Sequence, residues 1–351
     1  MADLTFIQAL PKAELHLHLE GSVDPATLVE LSRRHNVPLP GDGNQYGFDP
    51  ESGKELTEAE VRALYQYKDF VGFLMAFKAV SQRLRTPEDY ELITYRLMQK
   101  LAAQNVKHAE VYVSVGVIHW RGQELDPIFE GLERGRERGQ ADFGVSLLWI
   151  FDAVRHFGAE AAKRVFQKAV RYRDRNVVGV GIGGDEVRGP AEWFERQYAY
   201  AKDHGLHLTV HAGESAGPES IVTAVNLLHA ERIGHGLTAI QDPRSVELLA
   251  ERQIAVEICL SSNVRTGCCK KIEDHPLKRY FDAGVLVTLN TDDPEMFATT
   301  LNREYQLAQE AFGFTDVQLA QLARNSFAAS FLPEEAKARL SSLMSSIDQH
   351  S

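Results

Sequence analysis

Along the chain, short β-rich runs alternate with longer stretches whose apolar residues recur every three or four positions. The short runs predict strands at Ala13–His18, Lys107–Val113, Phe143–Ile150, Val177–Gly183, His207–His211, Arg232–His235, Ile254–Cys259 and Val285–Asn290. The stretches between them predict helices, for example Ala159–Arg173, Ala191–His204 and Pro243–Arg252. Strand–helix alternation of this kind predicts an α/β fold, a closed parallel (β/α)8 barrel of the TIM type, in preference to an open doubly wound sheet. An open dinucleotide-binding sheet would place G-x-G-x-x-G after its first strand. His18-Leu19-Glu20-Gly21 stands there instead.

The segment between the first two strands is too long for one connection and predicts a helical insertion at about residues 50–105. Asn44–Lys54, rich in Gly, Asp and Pro, reads as a loop. Thr57–Leu84 then carries Tyr65, Tyr67, Phe70, Phe73, Leu74 and Phe77 at helical spacing. Such a stripe packs on the barrel, serves as a lid that excludes water, or does both. No internal repeat or linker marks a second domain, so residues 1–351 read as a single barrel domain with this insertion.

Composition narrows the function classes. An apolar fraction of 44% suffices for a large core, and the charged fraction of 25% is ordinary. A net charge of −11 argues against nucleic acid as a partner, because phosphate binding needs clustered Lys and Arg. It leaves room for a nucleoside or a free base. No apolar run approaches the roughly 20 residues of a membrane span. Met1-Ala2-Asp3-Leu4-Thr5 lacks the character of a signal peptide. Cys259, Cys268 and Cys269 make an odd count with two adjacent, a poor disulfide framework. Together these features predict a cytoplasmic protein.

The chemistry concentrates at strand ends. His16 and His18, two apart on a strand, point to the same side. His211 closes a second apolar run and Asp292 follows a third. The C-terminal ends of barrel strands converge on one face. Nitrogen and carboxylate donors without a thiolate suit zinc, with room for an activated water. Glu214, across Ala212-Gly213 from His211, could coordinate the ion, donate a proton or cap a helix. His235 is flanked by Gly234 and Gly236, which allow backbone to approach a ligand. Asp292 and Asp293 cannot point the same way, which predicts a division of labour. Gly183-Gly184-Asp185-Glu186 reads as a tight turn or as a Gly184 N–H facing a ligand acceptor.

Taken together, these motifs resemble the adenosine deaminase family of the amidohydrolase superfamily. The matching pieces are Pro11–Gly21, Gly183–Glu186, His211–Glu214, Arg232–Gly236 and Leu289–Pro294, in family order across nearly the whole chain. The resemblance implies a hydrolase that removes the 6-amino group of a purine and releases ammonia. It implies one zinc per chain held by His16, His18, His211 and Asp292. It further implies that His235 orients the attacking water, that Glu214 gives a proton to N1, that Asp293 bonds N7 and that the Gly184 N–H bonds N3. His18, Glu20, Gly184 and Asp293 would contact substrate.

The substrate follows less directly. Family members acting on adenosine usually have Asp where Glu20 stands, and that Asp meets the sugar 5′-hydroxyl. Glu20 resembles the branch acting on free adenine, or relatives taking 5′-altered nucleosides. Gly184-Asp185-Glu186 and Asn290-Thr291-Asp292-Asp293 resemble the nucleoside type. The expected substrate is therefore adenosine or a 5′-modified nucleoside such as aminodeoxyfutalosine, with free adenine as the alternative. Cys259-Leu260-Ser261-Ser262-Asn263 departs from the family, which commonly has proline after the cysteine. His108-Ala109-Glu110 and His229-Ala230-Glu231 match the H-x-E of another zinc deaminase class, whose P-C-x-x-C is missing. A non-catalytic purine binder would have no need of Glu214 and His235 beside a metal shell. A phosphoesterase would want Lys or Arg at the strand ends.

Overall fold

The computed structural model describes residues 4–36, 57–67 and 70–348. Eight parallel strands follow one another round a barrel in sequence order. They are β1 (Lys12–His18), β2 (Val106–Val113), β3 (Ser146–Val154), β4 (Val177–Gly183), β5 (His207–Ala212), β6 (Arg232–His235), β7 (Ala255–Ile258) and β8 (Val287–Leu289). The seam between β8 and β1 is closed in part by a side chain. Asn290 Oδ1 accepts from the N–H groups of Leu15 and His16 at 2.8 and 3.1 Å. Just beyond it, the His18 N–H donates to Asp292 O at 2.7 Å and the Asp292 N–H to His16 O at 3.0 Å. A metal-type carboxylate is thus tied by its own backbone between two histidines.

The expected strands all form, with shifts at their ends. The largest concerns β3, expected at Phe143–Ile150 and found at Ser146–Val154. Phe143 belongs to the Leu125–Phe143 helix, where it packs against Tyr95 with ring centroids 5.2 Å apart. Its apolar character serves helix packing and not the sheet. The expected Ala191–His204 helix divides into a 3-10 turn, Ala191–Phe194, and an α-helix, Glu195–Asp203.

Side chains alternate along each strand, and here the apolar set faces the helices while the inward set is polar. Glu14, His16, His18, His108, Glu110, Thr209, His211, Arg232 and Glu257 are all buried. Branched apolar residues fill most barrel interiors, so this polarity needs compensation. Arg232 pairs with Glu110, and its Nε lies 2.6 Å from Glu257 Oε1. His108 Nε2 approaches Glu110 Oε1 at 3.2 Å, and the Phe331 N–H donates to the same oxygen.

Between β1 and β2 the described residues form helices Pro25–His35, Glu58–Leu64, Phe70–Ser81 and Pro87–Ala103. The loop expected at Asn44–Lys54 and the Phe70 side chain lie outside the described residues. Tyr65 and Tyr67 donate their hydroxyls to Val23 O and Met296 O at 2.8 and 2.9 Å. Phe73 stacks on Phe297 at 5.3 Å and 19°. The aromatic stripe therefore packs on the barrel. Among the described residues no helix is long and apolar enough to cross a membrane.

Candidate metal centre and active site

One face of the barrel gathers the strand-end residues. One donor atom each from His16, His18, His211 and Asp292 lies within 4.8 Å of the other three, and all four residues are buried. His18 Nε2 stands 3.3 Å from both His211 Nε2 and Asp292 Oδ1. His16 Nε2 stands 3.5 Å from Asp292 Oδ1. Donors bound to one ion at about 2.0–2.1 Å stand about 3–4 Å apart, so these spacings fit a metal. His16 Nε2 is buried without a hydrogen-bond partner among the described residues, and a metal would supply one.

The surroundings aim these donors. Glu257 Oε2 accepts from His16 Nδ1 at 2.7 Å, leaving Nε2 free to ligate. Ser262 Oγ donates to Asp292 Oδ2 at 2.7 Å, leaving Oδ1 for the cluster. At Gly234 a Cβ would lie 2.6 Å from His16 Cε1, so only glycine lets this imidazole lie against β6. Asp292 and His235 adopt left-handed backbone angles, φ 64° and 65°, a costly conformation for residues with side chains.

Charge at the cluster is unevenly shared. Burial opposes a proton on His16, yet the Asp292 and Glu257 carboxylates outweigh it and raise its pKa to about 10. Burial lowers His18 to about 4 and holds His211 well below the usual imidazole range. Burial also opposes ionisation of Asp292, but His16 and the neighbouring imidazoles keep it ionised.

The other expected residues surround this cluster. Glu214 Oε2 lies 3.8 Å from His235 Nε2, which is 3.9 Å from Asp292 Oδ2. Burial raises the Glu214 pKa, and burial with the adjacent Asp292 raises Asp293 further. Asp293 Oδ1 has no hydrogen-bond partner among the described residues. Gly184, at φ +95°, sits where a side chain would be strained and would meet His156 Nδ1 at 3.1 Å. Glu20 is buried; its Oε1 accepts the Ser114 N–H at 3.1 Å and its Oε2 has no hydrogen-bond partner among the described residues. Burial raises its pKa to about 7.

A cavity of about 870 Å³, counting space open to solvent at its mouth, joins His18, Gly184, His211, Glu214, His235, Asp292 and Asp293. Phe73, Leu74 and Phe77 of the insertion and Phe297 form part of its apolar wall. Glu20 does not line it, although Ser114 does.

Asp152 and His156 also line it and were missed in the sequence, because β3 was ended at Ile150. A strand carried on to Val154 would have brought Asp152 to notice. Glu186, read only as part of a turn, holds the loop after β5. Its carboxylate accepts from the N–H groups of Gly213, Glu214, Ser215 and Ala216 at 2.7, 3.1, 3.0 and 2.9 Å.

The sequence model of the adenosine deaminase family matches residues 11–348 of this chain. The chain belongs to the adenosine deaminase family. The deaminase is 37% identical over 338 residues to an aminodeoxyfutalosine deaminase of Streptomyces avermitilis, covering 96% of this chain and 90% of the relative. It resembles the crystal structure of an adenine deaminase from Arthrobacter aurescens, with a TM-score of 0.89, 30% identity, and 97% and 99% of the two chains covered. It also resembles the structure of an amidohydrolase from Burkholderia ambifaria with bound Zn, with a TM-score of 0.87, 26% identity, and coverage of 99% and 96%. The deaminase is a hydrolytic enzyme with a buried cluster that could hold a metal ion.

Proposed function

We propose that this enzyme removes the 6-amino group of a purine nucleoside, adenosine or a 5′-modified relative such as aminodeoxyfutalosine, releasing ammonia and the 6-oxopurine. The observation that carries the reading is one cavity in which His18, His211 and Asp292 of the four-donor cluster meet Glu214, His235 and Asp293. His16, His18, His211 and Asp292 would hold one zinc ion, which when bound supplies the Lewis acidity that makes water nucleophilic near neutral pH.

The chain's own groups supply the rest. Glu214, whose pKa burial raises, gives a proton to purine N1 so that the ring accepts electrons as C6 is attacked. His235 orients the attacking water between Glu214 and Asp292. Purine N7 is an acceptor and needs a donor; burial and Asp292 raise the pKa of Asp293, and whenever its carboxyl holds a proton it can donate to N7. The Gly184 N–H meets N3. The insertion helix Phe70–Ser81 acts as a lid, with Phe73, Leu74 and Phe77 keeping water from the reacting centre. Barrel and insertion work as a single domain across residues 1–351.

Free adenine is the second reading, and the placement of Glu20 outside the cavity wall favours it. Ammonia release from adenine, adenosine, 5′-deoxyadenosine, methylthioadenosine and aminodeoxyfutalosine tests the choice. A nucleoside should give the highest kcat/KM; adenine as the best substrate would overturn the nucleoside reading.

A further inference from the structure

His275 stands 40 positions beyond His235 in the chain and outside the cavity wall, yet hydrogen bonds connect the two. The Leu277 backbone N–H, which can only donate, points at His275 Nδ1 from 3.1 Å. That nitrogen is therefore an acceptor. His275 is buried, and burial, with His235 adding to it, lowers its pKa to about 3. The ring is neutral, so its one proton sits on Nε2. His275 Nε2 is 3.1 Å from Asn263 Oδ1 and donates to it. The amide is now oriented, because turning it over would set its N–H2 against the His275 N–H. Asn263 Nδ2 consequently faces His235 Nδ1 at 3.2 Å and donates to it.

We propose that His275 and Asn263 are positioning residues that set the tautomer of His235, keeping Nδ1 an acceptor and the proton on Nε2. Nε2 is the nitrogen that faces Glu214 and Asp292, at 3.8 and 3.9 Å. The N–H then points at the space where water and C6 meet. The inference rests on the reading of His235 as the group that orients the attacking water. Its structural half, the tautomer, stands apart from catalysis. Holding an imidazole in the wrong tautomer with geometry intact can cost about 10⁴-fold in kcat.

The test uses the full chain as purified with its metal, with ¹⁵N-labelled histidine and long-range ¹H–¹⁵N NMR spectra. The wild type should show His235 with an unprotonated Nδ1 and a protonated Nε2. Asn263→Asp places a carboxylate opposite Nδ1 and should draw the proton there. His275→Leu frees the amide to turn. Both should move the Nδ1 resonance and lower kcat about 10²–10⁴-fold, with KM and metal content little changed. His275→Gln keeps a donor for Asn263 Oδ1 and should restore kcat to within about tenfold of the wild type. A protonated Nδ1 in the wild type overturns the proposal even if every variant misfolds. So does a fall in kcat with no spectral change, which marks a packing role. Wild-type protein that releases no ammonia from any purine, yet shows the expected tautomer, would sink the deaminase reading and leave the network standing.

Discussion

Within the barrel interior, Glu110 lies among Arg232, His108 and the Phe331 N–H. Burial would raise its pKa, but the Arg232 charge more than offsets that and brings it to about 2. At the strand ends, Asp152, Glu20 and Asp293 are as well buried and go the other way. Burial, with Glu20 adding to it, pushes Asp152 up to about 8. Burial lifts Glu20 to about 7, and burial plus Asp292 lifts Asp293 well above the carboxylate range. Among the described residues, Asp152 Oδ1, Glu20 Oε2, Asp293 Oδ1, His16 Nε2 and His211 Nδ1 have no hydrogen-bond partner. The difference is the counterion. Burial is common to both regions, and only in the first does a buried arginine face the carboxylates, Arg232 meeting Glu110 and Glu257. Glu257 touches both, with one oxygen towards Arg232 and the other on His16. Unmet polar groups concentrated at one end of a compensated interior point to where ligands complete the structure.

The comparison breaks most sharply at Glu214. Glu214→Gln keeps the shape and removes the proton, so ammonia release should fall about 10²–10⁴-fold. Metal content should not change. Parallel loss of metal would make Glu214 a ligand and not an acid.

In the compensated region the same exchange should act on stability. Glu110→Gln leaves Arg232 short of charge at a cost of about 3–5 kcal/mol, read from the urea midpoint, with little change in kcat of the folded enzyme. Because the folded pKa of about 2 lies below the usual 4.5, the stability Glu110 contributes is complete above pH 4.5. It is lost as pH falls towards 2. The wild type should lose stability across that window more steeply than the variant.

Glu20 gives the smallest effect. If its unpaired Oε2 meets a ribose hydroxyl, Glu20→Ala should cost about 1–3 kcal/mol, roughly 5- to 150-fold in kcat/KM, for hydroxylated nucleosides. Substrates lacking the 5′-hydroxyl should change far less. Equal losses on adenosine and 5′-deoxyadenosine would detach Glu20 from the sugar.

Eight strands were legible because β-rich runs alternate with amphipathic helices, and the clustering of His16, His18, His211 and Asp292 because they end or closely follow such runs. His16-x-His18 places both imidazoles on one face with no tertiary information. The supporting residues were not legible for the opposite reason. Glu257 reaches His16 across 241 positions, and Ser262 reaches Asp292 across 30. Such contacts leave no local spacing to read. The left-handed angles at His235 and Asp292 occur in residue types that adopt them more readily than most non-glycine residues, yet too rarely for the sequence to announce them. Leu260, where the family commonly has proline, is a buried core residue with no evident effect on the site.

The central claim is that the strand-end cluster is a zinc site. Elemental analysis of protein purified without added metal tests it most directly, alongside the double variant His16→Ala, His211→Ala. The wild type should carry close to one equivalent of zinc per chain, and the variant should carry almost none and release no ammonia. Full zinc occupancy in the variant would contradict the account.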